Sequence, residues 1–210
     1  VMFASDVLVT VTDAGLYVLG NSIANELIAE NQGQNYKGFR LEGTANVFLD
    51  NVMISDCGGI KALTPEFGIQ NSTIESNPAD LNTSGFIELS SGTPKIINNS
   101  FKNNEVSAIA SAANATVAPL IKNNVFYGNV SGNTNRPQIN LSPSGANDTT
   151  IIEGNTITGV SSNEMAGGIA FSALAGGVGN VIIRDNEIGE NRYGITILGN
   201  NLFALIEQNN

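Results

Sequence analysis

Hydrophobic and polar positions along the chain repeat one short pattern. In residues 96–104 an apolar residue is followed three places later by Asn, two places later by a second apolar residue, and after three more by another Asn. The same order returns in residues 121–129, 152–157 and 183–191, and less regularly in residues 23–31, 48–56, 69–77 and 206–209. Apolar residues that alternate with polar ones on both sides of the Asn predict two short β-strands joined by a bend.

The central polar residue of each copy is predicted to stack on its counterpart in the next copy. Asn enters the left-handed backbone region at lower cost than most residues, so it suits a sharp bend. In stacked coils its side-chain amide also reaches the next coil, about 4.8 Å away, which predicts a hydrogen-bonded asparagine ladder. The predicted ladder contains Asn51, Ser72, Asn99, Asn124, Asn155, Asn186 and Asn209.

A second strand precedes each ladder position by 12 to 17 residues and reads apolar-x-apolar, often after Gly. Ladder positions lie 21 to 31 residues apart, and a β-coil tolerates such insertions in its turns because only its strands must stay in register. The sequence therefore predicts an all-β, single-stranded parallel solenoid of about seven or eight coils. We expect residues 1–210 to form one β-helix segment of a longer chain, since polar capping elements are not evident at its ends.

This repeat resembles the right-handed parallel β-helix superfamily, which includes pectate lyases, other polysaccharide-active enzymes, phage tailspikes and surface adhesins. The resemblance covers residues 16–210 and implies a right-handed β-helix. The Phe-x-x-Asn segments at 101–104 and 126–129, with the Gly-Gly-apolar segments at 58–60 and 167–169, are similar to repeats of bacterial polymorphic surface and autotransported proteins. That second likeness implies a secreted protein at the cell surface.

Composition removes several classes of function. The formal net charge is −10 with nine Lys plus Arg, so the basic surface that a nucleic-acid partner requires is missing. No apolar run approaches the about 20 residues that span a bilayer, which predicts no membrane insertion. The sequence has no His, which excludes Ser-His-Asp and Cys-His catalysis. Cys57 is the single cysteine and is predicted to be a small buried hydrophobic residue.

The outward residues of the second strand supply the candidate catalytic residues. Coil by coil, this row is predicted to contain Arg40, Lys61, Glu88, Ala110, Asn140, Ala170 and Thr196. The resemblance to polysaccharide lyases implies a substrate along one exposed strand face, where a cation and a base act together. Arg40, Lys61 and Glu88 are the candidates for these roles. The alternative is a solvated face with a salt bridge between Lys61 and Glu88.

Glycoside hydrolysis would instead require two facing carboxylates. The candidate arrangements place Asp185 and Glu187 against Glu153, or Asp50 against Glu75. None forms a clear pair in the predicted register, and solvated turn acids are the alternative. Leu49 and Ile97 are assigned to one outward position and suggest an apolar outer face.

Turn oxygens and loops supply the remaining candidates. Asp185, Asn186, Glu190 and Asn191 could hold Ca²⁺, because hard cations prefer carboxylate and amide oxygens. No other cofactor is expected. Insertions at residues 142–149 and 172–180 are predicted to form one wall over the C-terminal coils. Among the sequons, those on predicted loops would be glycan sites in a eukaryotic protein: Asn82, Asn114 and Asn147.

Three functions remain open from the sequence. The first is a structural or adhesive module of a large extracellular or cell-surface protein, a rigid rod that displays loops. The second is a polysaccharide lyase or glycoside hydrolase, and the third is a non-catalytic glycan-binding or tailspike domain. The expected partners are polysaccharides or cell-surface glycans, neighbouring domains, or copies of the same protein.

Overall fold

Among the residues that the structure describes, three parallel sheets of eight strands each form the fold, and the chain passes through the three sheets in turn in every coil. The computed structural model of the chain describes residues 1–31, 33–81, 83–142, 145, 148–173 and 177–210. The predicted all-β parallel solenoid is confirmed. The structure describes no α-helix in these ranges, and a single turn of 3₁₀ helix covers Ser161–Asn163.

Sheet 1 is made of the short strands that follow the ladder positions. They are Met2–Phe3, Asn25–Ala29, Val52–Ile54, Thr73–Glu75, Ser100–Lys102, Val125–Tyr127, Thr156–Thr158 and Glu187–Gly189.

Sheet 2 carries the apolar-x-apolar strands with the candidate catalytic row. They are Leu8–Thr12, Gly38–Glu42, Ile60–Ala62, Ile87–Gly92, Ile109–Val117, Pro137–Leu141, Gly167–Ser172 and Ile195–Leu198.

Sheet 3 is made of the strands that precede the ladder positions. They are Gly15–Leu19, Asn46–Asp50, Glu66–Gln70, Lys95–Ile97, Leu120–Lys122, Thr149–Glu153, Val178–Arg184 and Asn201–Glu207.

Like residues stack on like residues inside the coils, because neighbouring strands pair in register. In sheet 1, Ile74, Phe101, Phe126 and Ile157 occupy one inward row, and all four are fully buried. The rings of Phe101 and Phe126 lie parallel with their centroids 5.0 Å apart. Burying one such side chain contributes about 1.5–3 kcal/mol, so each coil adds to one continuous core.

The bends between strands are formed by two rows of residues with positive φ. The first row lies between sheets 3 and 1 and contains Asn51, Asn71, Asn98, Asn123, Gly154, Asp185 and Gln208. The second row follows sheet 1 and contains Asp56, Ser76, Asn103, Gly128 and Glu190. Asn, Asp and Gly dominate both rows because they enter the left-handed region most readily.

None of the helices found in the described residues is long and apolar enough to cross a membrane.

Candidate functional site

The predicted asparagine ladder runs between sheets 3 and 1, and its hydrogen-bonded stacking is confirmed. Asn124 Oδ1 accepts hydrogen bonds from the backbone N–H of Asn99 at 2.9 Å and from its Nδ2 at 3.0 Å. Asn124 Nδ2 also donates to the carbonyl of Ile96 at 2.9 Å. The same contacts repeat from Asn124 to Asn155, from Asn155 to Asn186, and from Asn186 to Asn209. This first ladder therefore satisfies buried backbone groups that the bend leaves without strand partners.

The assignment of Asn51 to this ladder is wrong by one residue. Strand register places Val52 opposite Ser72, and the backbone N–H of Val52 donates to Ser72 Oγ at 3.1 Å. Asn51 has a φ of 52° and belongs to the adjacent row of positive-φ residues. Two neighbouring residues thus have the two roles that were predicted for one, because the residue at the ladder position does not itself make the left-handed turn.

The pairing of Leu49 with Ile97 in one outward row is wrong for the same reason. Leu49 aligns with Ile69 and Ile96, and its side chain is buried in the core. Ile97 aligns instead with Gln70 and Lys122 on the outer face. The two residues therefore do not form an apolar outer face.

A second amide ladder, which the sequence did not reveal as such, runs along the far end of sheet 1. Asn104 Oδ1 accepts from the Nδ2 of Asn77 at 2.8 Å, and Asn129 Oδ1 accepts from the Nδ2 of Asn104 at 2.7 Å. Each of these residues is buried. The signal was present as an Asn three places after the inward residues Ile74, Phe101 and Phe126 of sheet 1, but it resembled a turn residue.

The candidate catalytic row lies where the sequence placed it, on neighbouring strands of sheet 2. Arg40 is beside Lys61, and Lys61 is beside Glu88. Arg40 pairs with Glu42 of its own strand, whereas Lys61 Nζ lies 3.3 Å from Glu88 Oε1. The geometry brings the three residues into one row but engages each of them in an ion pair.

Glu88 is covered rather than solvated. It is only 6% exposed, and its Oε2 accepts a hydrogen bond from the backbone N–H of Ser84 at 2.7 Å. The next residue, Gly85, packs so closely on this face that an added Cβ would lie 2.8 Å from the Cβ of Ala110. The polypeptide before the strand therefore folds over its outer face, and a polysaccharide could reach Glu88 only if this turn moved.

Two of the candidate hydrolytic carboxylates, Glu153 and Asp50, are held by other side chains. Glu153 Oε1 accepts from Lys122 Nζ at 2.6 Å, and its Oε2 accepts from Arg184 Nε at 2.7 Å. The hydrogen bonds from Lys122 and Arg184 lower the pKa of Glu153, so this residue is a carboxylate rather than a general acid at neutral pH. Asp50 accepts hydrogen bonds from the amides of Gln70 and Asn71 at 3.0 and 2.9 Å.

The four candidate Ca²⁺ ligands do not converge. Asp185 and Asn186 precede the strand Glu187–Gly189, whereas Glu190 and Asn191 follow it, so the two pairs lie at opposite ends of one strand. At about 3.3 Å per residue, such ends cannot coordinate one ion. The amide oxygens of Asn186 and Asn191 also accept hydrogen bonds, from Asn155 of the first ladder and from the side-chain amide of Gln138. Within the described residues, no group of three or more His, Cys, Asp or Glu side chains could hold a metal ion.

Several remaining predictions fall partly outside the described residues. Asn82 and Asn147 lie outside them, as does the side chain of Asn114. Parts of the wall predicted from residues 142–149 and 172–180 also lie outside them.

Cys57 is fully buried, and desolvation raises its thiol pKa to about 12.

Comparison with protein families identifies the repeat. The family model described as the right handed beta helix region matches residues 5–146, more than half of the chain. No curated protein and no solved structure matches the chain.

Proposed function

The chain belongs to the right-handed β-helix family, and we propose that it is a rigid structural module of an extracellular or cell-surface protein that displays loops for adhesion. A solenoid gains stiffness when every coil is bonded to the next one, because no coil then bends independently. Here two amide ladders reinforce the three sheets at the two ends of sheet 1. This continuous cross-coil bonding is the observation that carries the proposal.

The state of the charged residues also supports a structural module. A lyase or hydrolase requires a base or acid that faces a substrate cleft. The candidate residues instead bind one another: Lys61 with buried Glu88, and Glu153 with Lys122 and Arg184. Such pairs hold neighbouring coils together on the outer faces.

Adhesion and turnover can be measured on the same preparation. Beads coated with the protein are applied to cell surfaces and to an array of acidic and neutral glycans, and their retention is measured. In parallel, the protein is incubated with acidic polysaccharides, and the absorbance of unsaturated products is monitored. The proposal predicts retention of the beads and no product. Beads that adhere no better than albumin-coated beads would contradict it.

Two matched variants separate catalysis from display. Lys61→Met removes the candidate catalytic cation, and Lys37→Met removes an exposed cation elsewhere. The proposal predicts the same adhesion for both variants. Product formation by the wild type that is lost in Lys61→Met and kept in Lys37→Met would instead establish a lyase.

A hollow on sheet 3 favours glycan binding as the second candidate function. It measures about 270 Å³ and is lined by Asn46, Phe48, Pro65, Glu66, Thr93 and Lys95, among others. The ring of Phe48 lies across Gly68, where an added Cβ would be 2.9 Å from the ring, and 57%-exposed Tyr17 is beside Phe48 in register. Aromatic faces suit stacking on a sugar ring, and the Lys95 cation suits a sugar unit that carries a carboxylate.

Binding measurements test this second candidate without reference to turnover. Uronic acid oligosaccharides are titrated into the wild type, Phe48→Ser and Lys95→Met, with Tyr127→Ser as a control for an exposed aromatic residue on sheet 1. Glycan binding at the hollow predicts weaker binding in the first two variants and no change in the control. Equal binding by all four proteins would exclude the hollow.

A further inference from the structure

Sheet 3 presents an apolar row on the outer face of its last four strands. Leu120 pairs in register with Ile151, Ile151 with Ile182, and Ile182 with Leu205. Their neighbours in sequence point inward, so these four side chains face outward; Leu205 is 41% exposed and the other three are half-buried. An apolar strip on a flat sheet face is typical of a contact surface.

A charged row with alternating sign runs beside the apolar row. It consists of Lys122, Glu153, Arg184 and Glu207, each two residues after a member of the apolar row. Glu153 binds both cations next to it, at 2.6 Å to Lys122 Nζ and 2.5 Å to Arg184 Nη2. The order along the coils is therefore positive, negative, positive, negative.

The other side of the apolar row carries a protruding ring and a hollow at opposite ends. Phe203 is 65% exposed and follows Thr149 and Asn180 in the same outward row. At the far end, two residues before Leu120, Ala118 lines a hollow of about 160 Å³ with Thr116, Val117, Gly145 and Asp148. A large side chain and a hollow thus lie at the two ends of one row.

We propose that this face, defined by the apolar row, the charged row and the Ala118–Phe203 row, binds a second copy of the chain in antiparallel orientation. A two-fold axis parallel to the strands reverses the order of the coils but keeps each row against itself. Lys122 then meets Glu207 of the second copy, and Glu153 meets Arg184. Leu120 meets Leu205, Ile151 meets Ile182, and Phe203 enters the hollow beside Ala118.

The opposite orientation is disfavoured by the same residues. A two-fold axis along the solenoid, through the apolar row, would place each coil against its own copy but reverse the strand direction, so that Lys122 meets Ala118 and Glu207 meets Phe203. The charged row would then face the uncharged Ala118–Phe203 row and find no opposite charges there, and Phe203 would not reach the hollow. Only the antiparallel arrangement matches charge and shape together.

The size of the face predicts a weak dimer. Three rows about 6.7 Å apart on four strands about 4.8 Å apart cover roughly 400 Å² per copy, about half of what a stable interface buries. We therefore expect a dissociation constant of about 10–500 µM. Such an interface joins two rods side by side and becomes effective where many copies are held on one surface.

Cross-linking tests the orientation. Leu120→Cys and Leu205→Cys are prepared as single variants and treated with a short bismaleimide, alone and mixed. The antiparallel dimer predicts cross-linked dimers in the mixture and few in either variant alone, because Leu120 and its own copy would lie about 14 Å apart along the axis. Buried Cys57 does not compete for the reagent, and Tyr127→Cys mixed with Leu205→Cys controls for random collision. Cross-linking of Leu120→Cys alone at the level of the mixture would overturn the orientation.

Sedimentation velocity tests the dimer itself. The wild type is compared with Phe203→Ser and with Tyr127→Ser, which removes an exposed aromatic residue from sheet 1, after circular dichroism has verified the fold of each. We expect the wild type and Tyr127→Ser to dimerise alike, and Phe203→Ser to show at least about tenfold weaker association. A wild type that stays monomeric up to about 0.5 mM would overturn the proposal.

Discussion

Asn129 donates a hydrogen bond from Nδ2 to Gln138 Oε1 at 2.9 Å, and Gln138 Nε2 donates in turn to Asn191 Oδ1 at 3.0 Å. Between Asn129 and Asn191, the coil that should continue the second ladder has Val160 at the corresponding position. The fully buried Gln138 comes from sheet 2 and fills the gap. The second ladder therefore continues through a coil that lacks its asparagine.

Replacing Gln138 should break the second ladder at this point. Gln138→Leu removes one hydrogen-bond partner each from Asn129 Nδ2, Asn191 Oδ1 and the carbonyl of Thr158, and removing a partner from a buried polar group costs about 1–3 kcal/mol. We expect a loss of about 2–4 kcal/mol in the free energy of unfolding by urea. Gln70→Leu, which removes a half-buried surface contact with Asp50, should cost less than about 1 kcal/mol. Equal losses in the two variants would contradict the role of Gln138.

Restoring the missing asparagine should make Gln138 less important. Val160→Asn places an amide at the ladder position between Asn129 and Asn191. In a double-mutant cycle, Gln138→Leu should then be less destabilising by about 1 kcal/mol in the Val160→Asn background than in the wild type. Additive effects of the two substitutions would show that an amide at position 160 does not replace the amide of Gln138.

The Lys61–Glu88 pair should contribute to stability. Lys61→Met leaves the buried Glu88 carboxylate with the Ser84 backbone N–H as its remaining partner, which should cost about 1–3 kcal/mol. Neutralising the carboxylate as well, in Lys61→Met/Glu88→Gln, should recover part of that loss. Urea denaturation of the single and double variants measures this coupling. No change in Lys61→Met would indicate a solvated residue that is free for another role.

The contribution of Glu153 should depend on pH. Its pKa is lowered in the folded chain by Lys122 and Arg184, so the stabilisation is fully present above the ordinary value of 4.5. It is lost as the pH falls from 4.5 through the lower folded pKa. Glu153→Gln should therefore lower the melting temperature at pH 7 by more than at about pH 3. Glu66→Gln, at an exposed position, serves as the control for the removal of one carboxylate.

Local sequence was sufficient to predict the solenoid and most of the first ladder. Asn99, Asn124 and Asn155 each follow an apolar residue at fixed spacing, and the spacing is set by the strand itself. The predicted register was wrong at Asn51 because Val52 occupies the ladder position in that coil. The nearest Asn in the sequence was therefore assigned to the ladder incorrectly.

The remaining features depend on contacts between distant parts of the chain. Gln138 completes the second ladder from another sheet, and the turn at Ser84 covers Glu88. Neither contact leaves a periodic trace in the sequence. The alternation of charge from Lys122 to Glu207 likewise becomes visible only when strand register aligns residues that are 23 to 31 positions apart.

The most direct test of the structural account compares two adjacent asparagines. Asn123 has a φ of 55° and makes the turn, whereas buried Asn124 bonds the coils together. Asn123→Gly should change the free energy of unfolding in urea by less than about 0.5 kcal/mol, because Gly accepts positive φ. Asn124→Gly should lower it by at least about 3 kcal/mol, because several buried polar groups lose their partners. Equal effects would contradict a β-helix that is held together by its amide ladders.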